Sequence, residues 1–284
     1  MNCSANILDS FRVDGARALV TGASRGIGQA VAVCLAQAGA DVALSARSSS
    51  ALEESVELVQ GQGRVAAPVP ADLATPGAAE SVVDEAASAL GGLDIVVHNA
   101  GILPCQPDGS PTMVPLQGSA QEDWDRVVSL NLNATAAVCR SAHRHLASSP
   151  RAGMVLMSSL AGVAGTPRME AYAATKAAQI SLVRSLGVGW ASEGIRVNAV
   201  CPGWTRTDMT SFAYANQPLS DWLTAHVPMG RWAEPHEIAS AVLFLVSSAS
   251  SFLTGQALLI DGGASVPDGG LAGTPKPPSP FVDA

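Results

Sequence analysis

The chain has 284 residues, with 16 Lys or Arg against 24 Asp or Glu, a formal charge of −8 and only 14% charged residues. At roughly 100–200 residues per domain, this length allows one large domain or two small ones, with a core that needs no disulfide or metal staple. The acidic balance leaves no electrostatic footprint for nucleic acid or an anionic membrane surface. Cys3, Cys34, Cys105, Cys139 and Cys201 show no paired spacing and no Cys/His cluster, so neither a disulfide framework nor a metal site is expected. Residues 1–13 lack the basic and apolar regions of a signal peptide, and no apolar run approaches about 20 residues. A soluble, cytoplasmic protein is expected.

Short apolar runs alternate with longer segments of helical period, the pattern of βαβ units around a parallel sheet. In chain order the spacing predicts a strand over Ala16–Thr21, a helix over Ile27–Ala38, a strand over Asp41–Ala46 and a helix over Ser50–Gln60. A strand over Arg64–Pro68, a helix over Pro76–Leu90 and a strand over Leu93–His98 follow. Next come one long helix over Ala120–Ala147, a strand over Gly153–Ser158, a helix over Arg168–Ser192 and a strand over Arg196–Cys201. A helix over Pro235–Ser247 and a strand over Ala257–Ile260 close the series. Several strands are near-continuous apolar runs, as expected when both faces are covered. The expectation is one α/β domain over residues 1–265, a doubly wound, mostly parallel seven-stranded sheet with helices on both faces.

Three segments interrupt the rhythm. Leu103–Ser119 is rich in Pro, Gly and Ser, Trp204–Trp232 carries aromatic residues and Met, and Val266–Ala284 is a Pro/Gly-rich tail. The first two begin just past the carboxyl ends of predicted strands, where open α/β sheets place their ligands.

The first predicted strand runs into Thr21-Gly22-Ala23-Ser24-Arg25-Gly26-Ile27-Gly28 and then a helix. Glycines permit a tight turn and let bare N–H groups approach a pyrophosphate at the helix N-terminus. Further motifs follow in order. Asp72 stands after the third strand, and His98-Asn99-Ala100-Gly101 ends the fourth. Asn131 lies within the long helix, Ser159 precedes Tyr172 by 13 residues, and Lys176 stands four residues after Tyr172. Ile195 to Gly203 and Thr254 to Gly263 complete the set. Over about residues 12–265 this series resembles the short-chain dehydrogenase/reductase family, with its TGxxxGxG loop, NNAG motif and YxxxK pair. The resemblance implies a Rossmann fold.

An NAD-binding site of this kind usually carries an acidic residue about 20 positions after the glycines, to bind the ribose 2′-hydroxyl. Ala46-Arg47 stands there instead, and Arg25 lies inside the glycine loop. Two guanidinium groups suit a 2′-phosphate, so NADP(H) is expected rather than NAD(H). The resemblance implies cofactor contacts from Gly22, Ser24, Arg25, Gly26, Ile27, Gly28 and Arg47. It further implies that Asp72 bonds the adenine amino group, Leu73 lies beside the ring, and Asn99, Ala100 and Gly101 sit near the adenosine ribose. Pro202 and Gly203 form a turn after which Thr205 or Thr207, Thr207 by preference, contacts the nicotinamide carboxamide or pyrophosphate. His98 replaces the commoner Asn of the motif.

Carbonyl reduction needs a hydride from the nicotinamide and a proton for the developing alkoxide. Tyr172 and Lys176 lie i,i+4 on one helical face, so a neighbouring ammonium is expected to lower the phenol pKa. By resemblance Lys176 also binds the nicotinamide ribose, and Ser159, preferred to Ser158 for its offset from Tyr172, donates to the carbonyl oxygen. Asn131 positions a water that relays protons to Lys176. His143, His145, Glu122, Asp123 and Asp125 receive no catalytic role. The cysteines receive no catalytic role either.

The substrate is expected between Leu103–Ser119 and Trp204–Trp232, the latter acting as a lid. Its aromatic residues suggest a fairly apolar or cyclic carbonyl compound or secondary alcohol; packing of the lid is the competing explanation. An NADPH-dependent ketoreductase similar to 3-oxoacyl reductases is favoured. An NAD-dependent secondary alcohol dehydrogenase and a non-catalytic NADP(H)-binding regulator are the alternatives. The resemblance also implies a homo-oligomer, a tetramer or a dimer.

Overall fold

The apolar runs become β1 (Arg17–Thr21), β2 (Asp41–Ser45), β3 (Ala66–Pro68), β4 (Ile95–His98), β5 (Gly153–Met157), β6 (Arg196–Pro202) and β7 (Ala257–Ile260). In the computed structural model, which describes residues 6–105, 111–266 and 276–278, these strands form one sheet in the order β3-β2-β1-β4-β5-β6-β7. Each of the six pairings is parallel, so the sheet expected to be mostly parallel is wholly so. Alternate residues of each strand enter different cores. Along β4, Val96 packs with α3 (Ala78–Leu90), α5 (Ala134–Leu146) and α6 (Glu170–Gly189). Ile95 and Val97 pack with α1 (Gly26–Gln37), α2 (Glu53–Gln60) and α9 (Pro235–Val246) on the other face. With both faces covered, apolar side chains on either side leave water, which is why the strands lack the polar alternation of a half-exposed sheet.

The strand order reverses between β1 and β4, so the chain leaves their carboxyl ends in opposite directions and opens a crevice there. At the opposite edge the same two strands are clamped by charge. Arg17 meets Asp94 through Nε and Nη2, both at 2.9 Å, and Ser149 Oγ donates to the same carboxylate at 2.7 Å. These bonds hold the Asp94 carboxyl down at about 2, against its burial.

The long predicted helix is not continuous. α4 (Gln121–Val128) and α5 are separated by a π-helical turn, Ser129–Asn133, which contains Asn131. The segment predicted from Ser50 opens with a 3₁₀ turn, Ser50–Leu52, before α2. Between β6 and α9 the chain forms two short helices, α7 (Ser211–Tyr214) and α8 (Gln217–Thr224). Part of the Leu103–Ser119 segment, residues 106–110, and most of the tail expected over 266–284 lie outside the described residues. No described helix is long and apolar enough to cross a membrane, and no group of His, Cys, Asp or Glu among the described residues is arranged to hold a metal ion.

Candidate active site

The glycine loop leaves β1 at the crevice, and its three glycines serve two needs. Gly22 and Gly26 have φ of 64° and 57°, a region L side chains rarely adopt. Gly28 is set by close approach: a Cβ there would lie 2.1 Å from the Gly22 carbonyl oxygen and 2.6 Å from Asn99 Nδ2. Gly28→Ala is therefore expected to cost about 1–3 kcal/mol through overpacking, with thermal melting reporting the loss and cofactor titration a weakened site. An unchanged melting temperature would contradict the close approach. Arg25 is the N-cap residue just before α1 and makes no side-chain cap, so the N–H groups of the first turn are left uncapped by that side chain at the crevice. Ser24 and Ile27 flank this turn, the Ser24 carbonyl facing Gln29.

β4 is tied to the loop by Asn99, whose Nδ2 donates to the carbonyls of Thr21 at 3.2 Å and Gly22 at 3.0 Å. The Thr21 hydroxyl accepts from the N–H groups of Asn99 and Ala100, both at 3.1 Å. Its single hydrogen is thereby directed to His98 Nδ1, 3.0 Å away. His98 consequently carries its proton on Nε2, a buried atom with no hydrogen-bond partner among the described residues. Burial first, then the charge of Lys176, holds its imidazole down at about 3.

Arg47 is exposed just beyond β2. Asp72 is exposed beside it, because the Ala71 N–H bonds the Ala46 carbonyl at 2.8 Å. Leu73, expected beside an adenine ring, has its side chain buried in the core cluster that includes α3. Arg25 has a partner the sequence did not reveal: its guanidinium pairs with Asp208 at 2.8 Å across the mouth of the loop. Thr207 packs against Gly26, its Cγ2 lying 3.2 Å from where a Gly26 Cβ would stand. Thr205 is buried with its hydroxyl turned back to the Gly203 carbonyl. Gly203 itself, after Pro202, is pressed against Asp261, whose Cα would be 2.7 Å from an added Cβ.

Ser159, Tyr172 and Lys176 converge beside this crevice. Ser159 follows β5 and hydrogen-bonds the Tyr172 phenol, whereas Ser158 Oγ is spent on the Lys176 carbonyl at 2.8 Å. Lys176 Nζ is 5.5 Å from the Tyr172 ring centroid, the one-face placement that the i,i+4 spacing implies. The expected effect of that ammonium is not what dominates: burial pushes the Tyr172 phenol up to about 12, with the Ser159 bond acting downwards. Burial also brings Lys176 down to about 8. In both cases loss of water penalises the charged form more than the neighbours favour it. Gly101 adjoins both centres; an added Cβ would be 3.4 Å from Lys176 Nζ and 3.3 Å from Asn131 Oδ1. The Asn131 side chain is locked to Ile102, accepting from its N–H at 2.8 Å and donating to its carbonyl at 2.9 Å.

Cys201, without an apparent basic partner in the sequence, lies close enough to Lys176 to feel its charge, yet burial still pushes its thiol up. His143 and His145 sit away from the crevice, paired with Glu193 and Asp84. The aromatics of the segment from Trp204 to Trp232 pack mainly on one another. Trp232 is buried, stands edge-on to Trp204 and Tyr214 at 5.6 and 5.9 Å, and donates from Nε1 to Ser220 Oγ at 2.8 Å. Their aromatic content is therefore used in folding the lid and carries no information about substrate polarity.

A family model for enoyl-(acyl carrier protein) reductase matches residues 22–265. The chain is 35% identical over 261 residues to gluconate 5-dehydrogenase of Gluconobacter oxydans, covering 91% of this chain and 98% of that protein. It is also 35% identical over 246 residues to cis-4-hydroxycyclohexanecarboxylate dehydrogenase of Sinomonas cyclohexanicum, covering 87% and 95%. A crystal structure of gluconate 5-dehydrogenase from Burkholderia cenocepacia, in complex with NADP and tartrate, superposes with a TM-score of 0.85 at 32% identity. That match covers 92% of this chain and 100% of the other. The chain belongs to the short-chain dehydrogenase/reductase family. It is an oxidoreductase acting on CH–OH groups and the corresponding carbonyls.

Proposed function

We propose that the protein is an NADP(H)-dependent ketoreductase, reversible to a secondary alcohol dehydrogenase, with Ser159, Tyr172, Lys176 and Asn131 as its reaction centre. The observation that carries this reading is the convergence of the first three side chains at the crevice bordered by the glycine loop and Gly101. The residues fit the cofactor: a glycine cradle that a Cβ would fill, and a helix N-terminus whose N-cap residue, Arg25, offers no side-chain cap. Gly22, Ser24, Gly26, Ile27, Gly28 and Thr207 hold the pyrophosphate region, Arg25 and Arg47 the 2′-phosphate, and Asp72, Asn99 and Ala100 the adenosine. NADP is bound in the Burkholderia relative, which supports this choice. When bound, the cofactor supplies or removes a hydride at the carbonyl carbon.

The chain's own residues manage the proton. A phenol held near 12 is protonated at neutral pH, so Tyr172 can give its proton to the carbonyl oxygen as charge develops there. Ser159 donates a second hydrogen bond to that oxygen and stabilises the same charge. Lys176 spends two of its three N–H bonds inside the protein, on Met157 and Gln179, leaving a third that would hold the cofactor ribose. In the oxidative direction the phenol must first lose its proton.

The chain beside the reacting groups supports a neutral, fairly apolar or cyclic substrate. Ile102, Leu103 and Pro104 follow Gly101, and Leu160 to Val163 follow Ser159, with Val163 48% exposed. Arg206, on the lid, is engaged with Glu234 at 3.3 Å. The decisive assay follows NADPH oxidation against cyclic ketones, 3-oxoacyl thioesters and the keto forms of sugar acids. Turnover fastest with cyclic ketones supports the reading, whereas selective turnover of sugar acids overturns its substrate part. Arg47→Ala is expected to raise the KM for NADPH about 10–100-fold, the loss of a charge-assisted phosphate contact, and to leave NADH almost unaffected. Equal effects on both cofactors would remove Arg47 from the 2′-phosphate site.

The same reading includes a cytoplasmic homo-oligomer, a tetramer or a dimer. Val188 on α6 and Phe252 before the edge strand β7 are apolar and strongly exposed, which supports self-association. Sedimentation analysis of the full chain tests it.

A further inference from the structure

Lys176 is held by a residue that no motif marks. Its ammonium donates to the Met157 carbonyl at 2.7 Å and to Gln179 Oε1 at 3.2 Å. Gln179 lies on the next turn of α6 and is fully buried. Its Nε2 donates to the main-chain oxygen of Asn131 at 2.7 Å and to Thr135 Oγ1 at 3.0 Å. The Thr135 hydroxyl donates to that same oxygen at 2.7 Å. The orientation of the amide follows from this chemistry. Asn131 offers only an acceptor, and Thr135 has already spent its hydrogen, so both must face the NH₂ end. The carbonyl end is left for the ammonium.

A carbonyl oxygen has two lone pairs, and those of Asn131 are engaged by Thr135 and Gln179. The link from Asn131 to Lys176, which the family resemblance assigns to a relayed water, runs here through a side-chain amide. We propose that Gln179 is a positioning residue that couples the π turn at Asn131 to Lys176 and orients the ammonium towards the reaction site. This rests on the reading of Ser159, Tyr172 and Lys176 as the reaction centre. Unlike a water, the amide is anchored at both ends. It fixes the direction of the lysine without passing a proton along. The π turn contributes by directing the Asn131 oxygen to side chains of α5 and α6. The titratable groups that face Lys176 are Tyr172 on its own helix, Cys201 from β6 and His98 from β4.

The chain contains only two lysines, Lys176 and Lys276, so protein labelled with ¹³C at lysine Cε gives two titrating signals. Lys276→Arg assigns them. Gln179→Met keeps the bulk and removes the acceptor; the Lys176 midpoint is expected to fall by about one pH unit, a tenfold change in the ammonium-to-amine ratio. Gln179→Glu supplies a stronger acceptor and is expected to raise the midpoint. In Gln179→Met the alkaline fall of kcat follows the lowered midpoint, so kcat drops about twofold at pH 7 and about tenfold at pH 9. Opposite shifts are a signature that a purely packing role does not produce. Midpoints unmoved in folded variants overturn the proposal, and if Gln179→Met does not fold, Gln179→Glu against wild type decides alone. Absence of turnover in the wild-type protein overturns the proposed function instead, while the two lysine signals still test the coupling.

Discussion

Tyr172→Phe is expected to lower turnover of a ketone by about 10²–10⁴-fold, the range for loss of a positioned general acid, while NADPH still binds. The phenol stays protonated through neutrality because burial holds it near 12. Reduction by the wild-type protein should therefore be flat with pH up to the titration of Lys176, brought by burial to about 8, and fall above it. Alcohol oxidation should behave oppositely in the neutral range, rising with pH as the phenol more readily loses its proton. Steady-state rates in both directions, with cofactor binding followed by nicotinamide fluorescence, check these expectations. A Phe variant that keeps a large share of wild-type turnover would remove Tyr172 from the proton step.

Acid stability should be governed first by His98. Its folded pKa is depressed to about 3 from an ordinary 6.5, so below 6.5 the unfolded chain takes up a proton that the folded protein refuses. Stability present above 6.5 is then lost as pH falls, at about 1.4 kcal/mol per pH unit, or about 2 kcal/mol by pH 5. Asp94 acts in the same direction but later: its pKa is lowered from 3.8 to about 2, and its contribution disappears only as pH drops through that range. Urea unfolding at pH 7 and pH 5 separates them. His98→Asn should lose about 2 kcal/mol less than wild type between those two pH values, whatever its absolute stability. Identical pH dependence in the two proteins would contradict the neutral, buried imidazole.

What the amino-acid sequence revealed follows the range of the forces involved. The glycine loop was readable because positive φ at Gly22 and Gly26 is a local demand of the backbone. The choice of Ser159 over Ser158 rested on an offset from Tyr172; in the structure Ser158 bonds the Lys176 carbonyl and Ser159 the Tyr172 phenol. The break within residues 120–147 was hidden because side-chain bonds from α5 and α6 support the widened turn. Only the two asparagines of Ser129-Leu-Asn-Leu-Asn133, poor helix formers, hinted at it. Gln179 was invisible for a related reason: a helical glutamine reads as a surface residue until the fold closes over it. The lid misled by composition, since aromatic residues look alike whether they await a ligand or one another.

That lid has a further consequence for how new specificities arise on this scaffold. Its two ends meet: the Ala233 N–H bonds the Trp204 carbonyl, and the Arg206 N–H bonds the Ala233 carbonyl, both at 2.9 Å. Between them the segment carries its own small core of Ala213, Leu223 and Trp232. The segment is fastened at its own ends and packed on its own interior, and it meets the cofactor crevice through Thr207 against Gly26 and Asp208 paired with Arg25. Outside those two contacts, its length and lining can differ on the same anchor points while the strands, the glycine loop and Ser159, Tyr172 and Lys176 remain as they are.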